Sequence, residues 1–458
     1  MADFQLNTQL NPQDFTLDSC KIITSLGQPY EFRFMVLYFD YYEDIYNNFI
    51  TGQITINDSV GYISQLAFNG HDYLILSFSK PGDLIKITKT FRIYKISNRH
   101  LVNLQNETYT LHFCSEEAIL SEQYKISKSY PNKKVSEIVN DIVINQLGTA
   151  NTKFLSTNNE ETTGVRDIII PNLKPFEAIN WLCTQAVSKT IKTAGSAYMF
   201  FENLYGYNFK SLQTLFLGPV YKTYKFEPKN LNMPNDTRVQ DLSLEATNVI
   251  GFEMISNYDT MDMINSGAYA NQMLSIDLLG LNYNTTNFDY ITYFNNSNKL
   301  NPYPMLANNQ NRFGQSANTT YQAVLKSIIT NTGDSTYNAY IKAKQPSIKD
   351  VNTDTIIPFR TAQIPQLHAI RYKISIPGDP KMTIGTVIEF NLPELTRTTD
   401  GKNIDIYYSG KFLVTAVKQS IDVENKYITI MEISKESLPN KYIDPDNAQS
   451  AWKTIRGR

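Results

Sequence analysis

Apolar and polar residues alternate in two separated blocks of this chain, and that period of two commits most of it to antiparallel sheet. The first block fills residues 1–115, with strands expected at Cys20–Thr24, Glu31–Phe39, Gly52–Ile56, Tyr73–Phe78, Phe91–Ile96 and Thr108–Phe113. Turn chemistry separates them at Gly27-Gln28-Pro29, Asn69-Gly70-His71-Asp72 and Pro81-Gly82-Asp83. The second block opens at Asn248–Ile255 and resumes at Ile370–Ile376, Thr386–Phe390, Phe412–Val417 and Tyr427–Ile433. Each block reads as a compact sandwich or barrel.

Between the blocks the period changes. Val135, Ile138, Val139, Ile142, Val143 and Leu147 form a helical stripe, and Gly148 stands where a helix-ending glycine belongs. A second helix is expected over Phe176–Ser188 behind Pro175, followed by a hairpin from Tyr198 through Gly206 to Phe209. Residues 116–216 therefore read as a small α/β unit. The stretch 291–357 is rich in Asn and Pro and reads as an insertion with long surface loops, interrupted by a helix at Tyr321–Thr330. The fold class is α+β, mostly β. Its parts are a first β domain (1–115), the α/β domain (116–216) and a second β domain (217–290 with 358–437). The insertion (291–357) and a polar, mobile C-terminal tail (438–458) complete the chain.

The two β blocks echo one another. Pro81-Gly82-Asp83 leads into strands at Phe91–Ile96 and Tyr109–Phe113, while Pro377-Gly378-Asp379 leads into Phe412–Val417 and Tyr427–Met431. The order turn, strand, loop, strand recurs with different spacings. A duplicated module and two independent sheets both produce this pattern.

With 458 residues the chain has room for about three domains of ~150 residues. Lys and Arg total 42 against 44 Asp and Glu, a net charge of −2, which argues against a dedicated nucleic-acid binder. Cys20, Cys114 and Cys183 are widely spaced and form no CxxC pair, so they read as buried thiols kept in a reducing cytoplasm. The N-terminus lacks the apolar core of a signal peptide, and no apolar run reaches the ~18 residues of a membrane helix.

Enzyme signals are missing. His71, His100, His112 and His368 stand at no metal-binding spacing, and the sequence contains no HExxH, GxSxG or GxxxxGK[ST] motif. Cys183 falls on the apolar face of a helix, a place for core packing and not for a nucleophile. Glu116-Glu117 and Glu160-Glu161 are adjacent acids in polar surroundings, and adjacency does not set the carboxyl separation of a glycosidase. No catalytic, metal or cofactor residue is assigned, and no cofactor is expected.

Several stretches, in order, resemble one known family. They are Phe113-Cys114-Ser115-Glu116-Glu117-Ala118-Ile119-Leu120, Val135-Ser136-Glu137-Ile138-Val139 and Pro175-Phe176-Glu177-Ala178-Ile179-Asn180-Trp181-Leu182. Tyr198-Met199-Phe200-Phe201-Glu202, Ile376-Pro377-Gly378-Asp379 and Ser409-Gly410-Lys411-Phe412-Leu413-Val414 continue the series. Together they are similar to the central baseplate hub protein of T-even-type contractile-tailed bacteriophages. That family is related to the late-control D protein and to the hub part of type VI secretion spike proteins.

The resemblance implies a non-enzymatic homotrimer in the tail baseplate of the virion, assembled in the host cytoplasm without membrane anchoring. Each chain would carry two tube-like β domains, so that three chains imitate sixfold symmetry. Implied partners are the tail-tube and proximal hub proteins, a cell-puncturing spike, the tape-measure protein, and DNA in passage without specific binding. Pro81, Gly82, Asp83, Pro377, Gly378 and Asp379 would be turns of the tube domains. Residues 251–298 contain no Lys or Arg but hold Glu253, Asp259, Asp262, Asp277 and Asp289, which are candidates for the channel wall. The alternatives are the hub of a related contractile injection system, a tail-associated cell-wall hydrolase, or a sugar-binding tail protein.

Overall fold

The computed structural model describes residues 13–441 apart from 67, 82–85, 104, 192–194, 227–245, 278–281, 306–321, 325–327, 330–352, 395–403 and 422–425. It is mostly β with interspersed helices, as the alternation predicts. The first strands are β1 (Thr16–Ile23), β2 (Pro29–Glu31), β3 (Val36–Asp44), β4 (Thr51–Asp58), β5 (Tyr73–Ser79), β6 (Ile87–Asn103) and β7 (Asn106–Cys114). The strand expected at Glu31–Phe39 is broken by a 3-10 turn at Arg33–Met35, which puts β2 against β1 and sends β3 toward β4.

Two short sheets belong to the middle of the chain: β8 (Ile126–Lys133) with β9 (Arg166–Leu173), and β10 (Tyr198–Asn203) with β11 (Gly206–Ser211). The helix Val135–Asp141 runs on as a π turn over Ile142–Gln146, and Gly148 closes it with φ of +67°. The expected stripe, Val135, Ile138, Val139, Ile142, Val143 and Leu147, is buried without exception. The second helix, Pro175–Cys183, stops short of the expected Ser188.

Then follow β12 (Val220–Lys225), β13 (Gly251–Asn257), β14 (Ala270–Asp277), β15 (Asn282–Asp289), β16 (Tyr303–Pro304), β17 (Gln322–Val324) and β18 (Ile328–Ile329). The last strands are β19 (Ile370–Pro377), β20 (Val387–Asn391), β21 (Gly410–Ile421), β22 (Tyr427–Lys435) and β23 (Ser437–Leu438). Three readings need correction here. The described part of Tyr321–Thr330 is strand, not helix: β17 and β18 pair in parallel with β14, whose edge opposite β15 offers unpaired backbone groups. A helix that the sequence did not announce, Thr353–Leu367, packs on β14 and β15 despite Pro358 and Pro365 within it. Leu438, where a mobile tail was expected to begin, is fully buried and pairs with Tyr303; residues 442–458 lie outside the described residues.

The decisive feature is one sheet made from both blocks. Its thirteen strands run β13-β19-β22-β21-β3-β4-β7-β6-β5-β1-β2, with β20 also on β21 and β12 on β20. Strand β21 is the hinge of the topology: Gly410–Leu413 pairs with β20, and Ala416–Ile421 pairs with β3. The cores exchange residues across this seam. Ile421 and Tyr427, from the end of the chain, pack in the first block's core, while Ile45 packs in the second block's core. A third apolar cluster fills the α/β unit.

Candidate functional site: the open face of the continuous sheet

Alternation gives every strand at the seam a buried side and an open side. On β3, Phe39, Tyr41 and Glu43 point inward, leaving Asp40, Tyr42 and Asp44 on the other face. Register carries that open face across the seam: Lys418 lies opposite Tyr42 and Ile430, Ser420 opposite Asp40 and Ile428, and Lys373 opposite Glu432 and Glu253. Two surface depressions, of about 240 and 300 Å³, open along this line.

Three cations of this face stand against carboxylates. Lys418 Nζ lies 3.1 Å from Asp40, Arg371 3.4 Å from Glu432, and Lys373 3.2 Å from Glu253. Asp40 also accepts hydrogen bonds from Ser420 Oγ (2.7 Å), Gln53 Nε2 (3.0 Å) and Tyr42 Oη (3.1 Å). Burial works against the Asp40 charge, but the donors Ser420, Gln53 and Lys418 outweigh it and hold the carboxyl below the ordinary range. Burial first, and then the neighbouring Asp40, push Tyr42 up to about 12. The result is a polar wall on which Lys418, Arg371 and Lys373 are each matched by a carboxylate.

The acids picked out from the sequence are not gathered together. Glu253 stands exposed on this face, at the edge strand β13. Asp259 caps the helix Thr260–Asn265 by accepting from Asp262 N (3.0 Å), and Asp289 caps Tyr290–Asn296 by accepting from Thr292 N (2.7 Å). Asp277 ends β14 opposite Asn282. Among the turn residues, Pro81 is half-buried, and Gly82 and Asp83 lie outside the described residues. Pro377, Gly378 and Asp379 are all buried. Asp379 accepts from Lys222 Nζ (2.5 Å) and Tyr221 Oη, and its N–H donates to Thr429 Oγ1 (2.9 Å). Gln419 donates to the Asp379 carbonyl (3.0 Å) and accepts from Thr429 (2.6 Å) and Tyr427 (3.0 Å).

Behind the open face lies a joint of three units. Glu43 of β3 accepts from Tyr41 Oη (2.7 Å), Ile384 N (3.1 Å) and the Thr383 hydroxyl, and Thr383 in turn accepts from Leu204 N (3.0 Å). Nearby, Glu202 accepts from Ile50 N (3.2 Å) and the Ser115 hydroxyl, and Lys153 pairs with Glu117 at 2.8 Å. Sequence reading set Glu117 aside as a solvated acid and missed the others, because the contacts that join them connect residues far apart in the chain. The three cysteines are buried as expected. Among the described residues no group of three His, Cys, Asp or Glu could hold a metal, and no described helix is long and apolar enough to cross a membrane.

No protein-family profile matches the chain, and no curated protein matches it. Solved structures do. The 43 kDa tail protein of prophage MuSo2 from Shewanella oneidensis is similar in fold at a TM-score of 0.52 and 10% identity, over 91% of this chain and 98% of that one. A tail protein from Neisseria meningitidis MC58 aligns at 0.49 and 9% identity over 94% and 100%. An Escherichia coli component of the type VI secretion system aligns at 0.41 and 11% identity over 90% and 76%. The chain shares the fold of the Shewanella tail protein, and the mostly β class expected from the sequence is the one observed.

Proposed function

We propose that this chain is a structural protein of a phage tail, the baseplate hub that continues the tail tube toward a trimeric spike. One observation carries the reading. A single sheet spans both β blocks, and on its open face Lys418, Arg371 and Lys373 are each paired with a carboxylate, in a fold like that of a prophage tail protein.

In this reading the open face lines a bore. Passing DNA is a dense polyanion, and free Lys or Arg on the wall would hold it by releasing counterions. Pairing Lys418, Arg371 and Lys373 with carboxylates weakens that grip. Glu253 stands on this face, and Asp259, Asp262, Asp277 and Asp289 are read as bore residues with it. The domain division 1–115, 116–216, 217–290 with 358–437, 291–357 and 438–458 belongs to the same reading, as do the Pro81 and Pro377 turns of the two tube domains.

A homotrimer is supported by the ends of the sheet. Among the described residues, β13 and β2 each pair on one side only, and apolar side chains stand exposed beside both. Phe34 is 90% exposed next to β2, while Ile250, Met254, Ile255 and Met261 are exposed at or near β13. Joining one copy's β13 edge to the next copy's β2 edge would bury both, and three such head-to-tail contacts close a ring. Tail-tube and proximal hub proteins would sit on one side of the ring and the spike on the other, with the tape-measure protein and DNA passing through.

Gold-labelled antibodies against the chain, applied to intact virions, test the placement. Label confined to the baseplate end of the tail is expected. Label on the capsid, or enrichment only in the soluble lysate, would refute it.

A further inference from the structure

The joint behind the sheet contains more ionisable chemistry than packing requires. Glu43, only 2% exposed, is where the first β block, the α/β unit and the second β block meet, through Tyr41, Leu204 and Thr383-Ile384 respectively. The groups that face it are Tyr41 on its own strand, Lys89 on β6, Tyr205 after β10 and Tyr427 on β22. Behind them lie Glu202, Glu117 and Lys153 of the α/β unit, and Asp379 beside Tyr427. Counting Glu43, Glu202, Glu117, Lys89 and Lys153, three buried acids neighbour two lysines, of which Lys153 is 37% exposed. With every group ionised, that interior carries an uncompensated negative charge.

We propose that Glu43 is an exchangeable proton site of the native fold, a device that couples the tightness of the three-way joint to pH. The hydrogen-bond geometry permits both states. As a carboxylate, Glu43 accepts from Tyr41, Thr383 and Ile384. As a neutral acid it would donate to Thr383 Oγ1, which already accepts from the Leu204 N–H, and the Thr383 hydroxyl would give up its bond to Glu43. One bond reverses direction and the backbone stays where it is. Two neighbours with fixed donors would not allow this; a hydroxyl between two units does.

The electrostatics agree with the geometry. Burial drives Glu43 up to about 7, against the opposing pull of Thr383, Tyr41, Ile384 and Lys89. An acid whose folded value lies above its unfolded value of about 4.3 stabilises the fold fully below that lower value, and the stabilisation is lost as pH rises through the folded one. The joint is therefore tightest below about pH 4.3 and loosens progressively as pH rises toward about 7, with the loss complete above it. The inference concerns the single chain and does not depend on the tail assignment.

Infrared difference spectra of the full chain across a pH titration test it, read at the carbonyl stretch of a protonated carboxyl. The wild type is expected to lose one buried-acid component with a midpoint near 7, and Glu43→Gln is expected to lack that component. Lys89→Met removes a facing cation and should move the midpoint upward. An unchanged component in Glu43→Gln would assign the proton to another buried acid such as Glu202 and overturn the proposal. So would a wild-type midpoint in the ordinary carboxylate range. Should Glu43→Gln fail to fold, an unmoved midpoint in Lys89→Met overturns it equally.

Discussion

Gly378 lies flat against Tyr427: a Cβ built on the glycine would fall 2.0 Å from the ring, and its N–H donates to the Tyr427 carbonyl at 2.8 Å. Tyr427 comes from β22 and packs in the first block's core, so this contact fixes the turn after β19 to the seam. Gly378→Ala must displace a fully buried ring and should cost about 3 kcal/mol or more. Gly27→Ala, in open space at φ of +80°, should cost only about 1 kcal/mol. Chemical denaturation of the two variants checks the ordering, and equal losses would show that the Tyr427 contact is soft.

Ile45 and Ile421 each pack in the core of the opposite block. Cutting either to Ala should cost about 2–4 kcal/mol, and the loss should be felt on both sides of the seam. Native-state hydrogen exchange on β4 and β19 is the measurement. Each variant is expected to speed exchange in both strands by a similar factor. Softening confined to one strand would mean that the blocks unfold independently.

The cysteines give a simple check of the cores. Burial, followed by Glu202, pushes Cys114 up to about 12, and burial likewise raises Cys183 to about 12. Cys20 is raised further still, by burial and then by Glu31. A thiol reagent at about pH 8 should label none of them in the native protein and all three after denaturation. Rapid native labelling would contradict the packing described.

How much of this could be read from the sequence depends on the range of the interactions. Local period identified most strands and the Val135–Leu147 stripe, because neighbours in sequence decide which face is buried. The helix Thr353–Leu367 escaped because Pro358 and Pro365 are ordinary helix breakers; packing on β14 and β15 outweighs that local penalty. The Tyr321–Thr330 segment was misread because a few apolar residues cannot distinguish a short strand from a helical turn, and the open edge of β14 decides it. The candidate surface was illegible. Asp40 meets Ser420, 380 positions away, and only the β3–β21 register brings Lys418 beside them. Glu253 was picked out for its lack of basic neighbours in sequence, yet Lys373 faces it in space.

Charge pairing by the exposed acids of the open face should govern adhesion and not stability, whereas Asp40, 6% exposed, also holds the seam together. The Lys373–Glu253 pair is exposed, so Glu253→Gln should change stability by less than about 0.5 kcal/mol. Combining Asp40→Asn, Glu253→Gln and Glu432→Gln leaves Lys418, Lys373 and Arg371 without partners on one wall. This variant should retain double-stranded DNA in a salt-sensitive way, whereas the wild type should not, as filter binding across a salt series would read. Equal, weak binding by both would detach the charge pairs from any role in passage.

In the proposed hub, copies of this sheet join edge to edge around a hollow axis. Native mass spectrometry of the purified chain, with electron-microscopic class averages of the same sample, tests it most directly. A particle of three chains with an open central channel is expected. A monomer at every accessible concentration, or a closed particle with no channel, would contradict it.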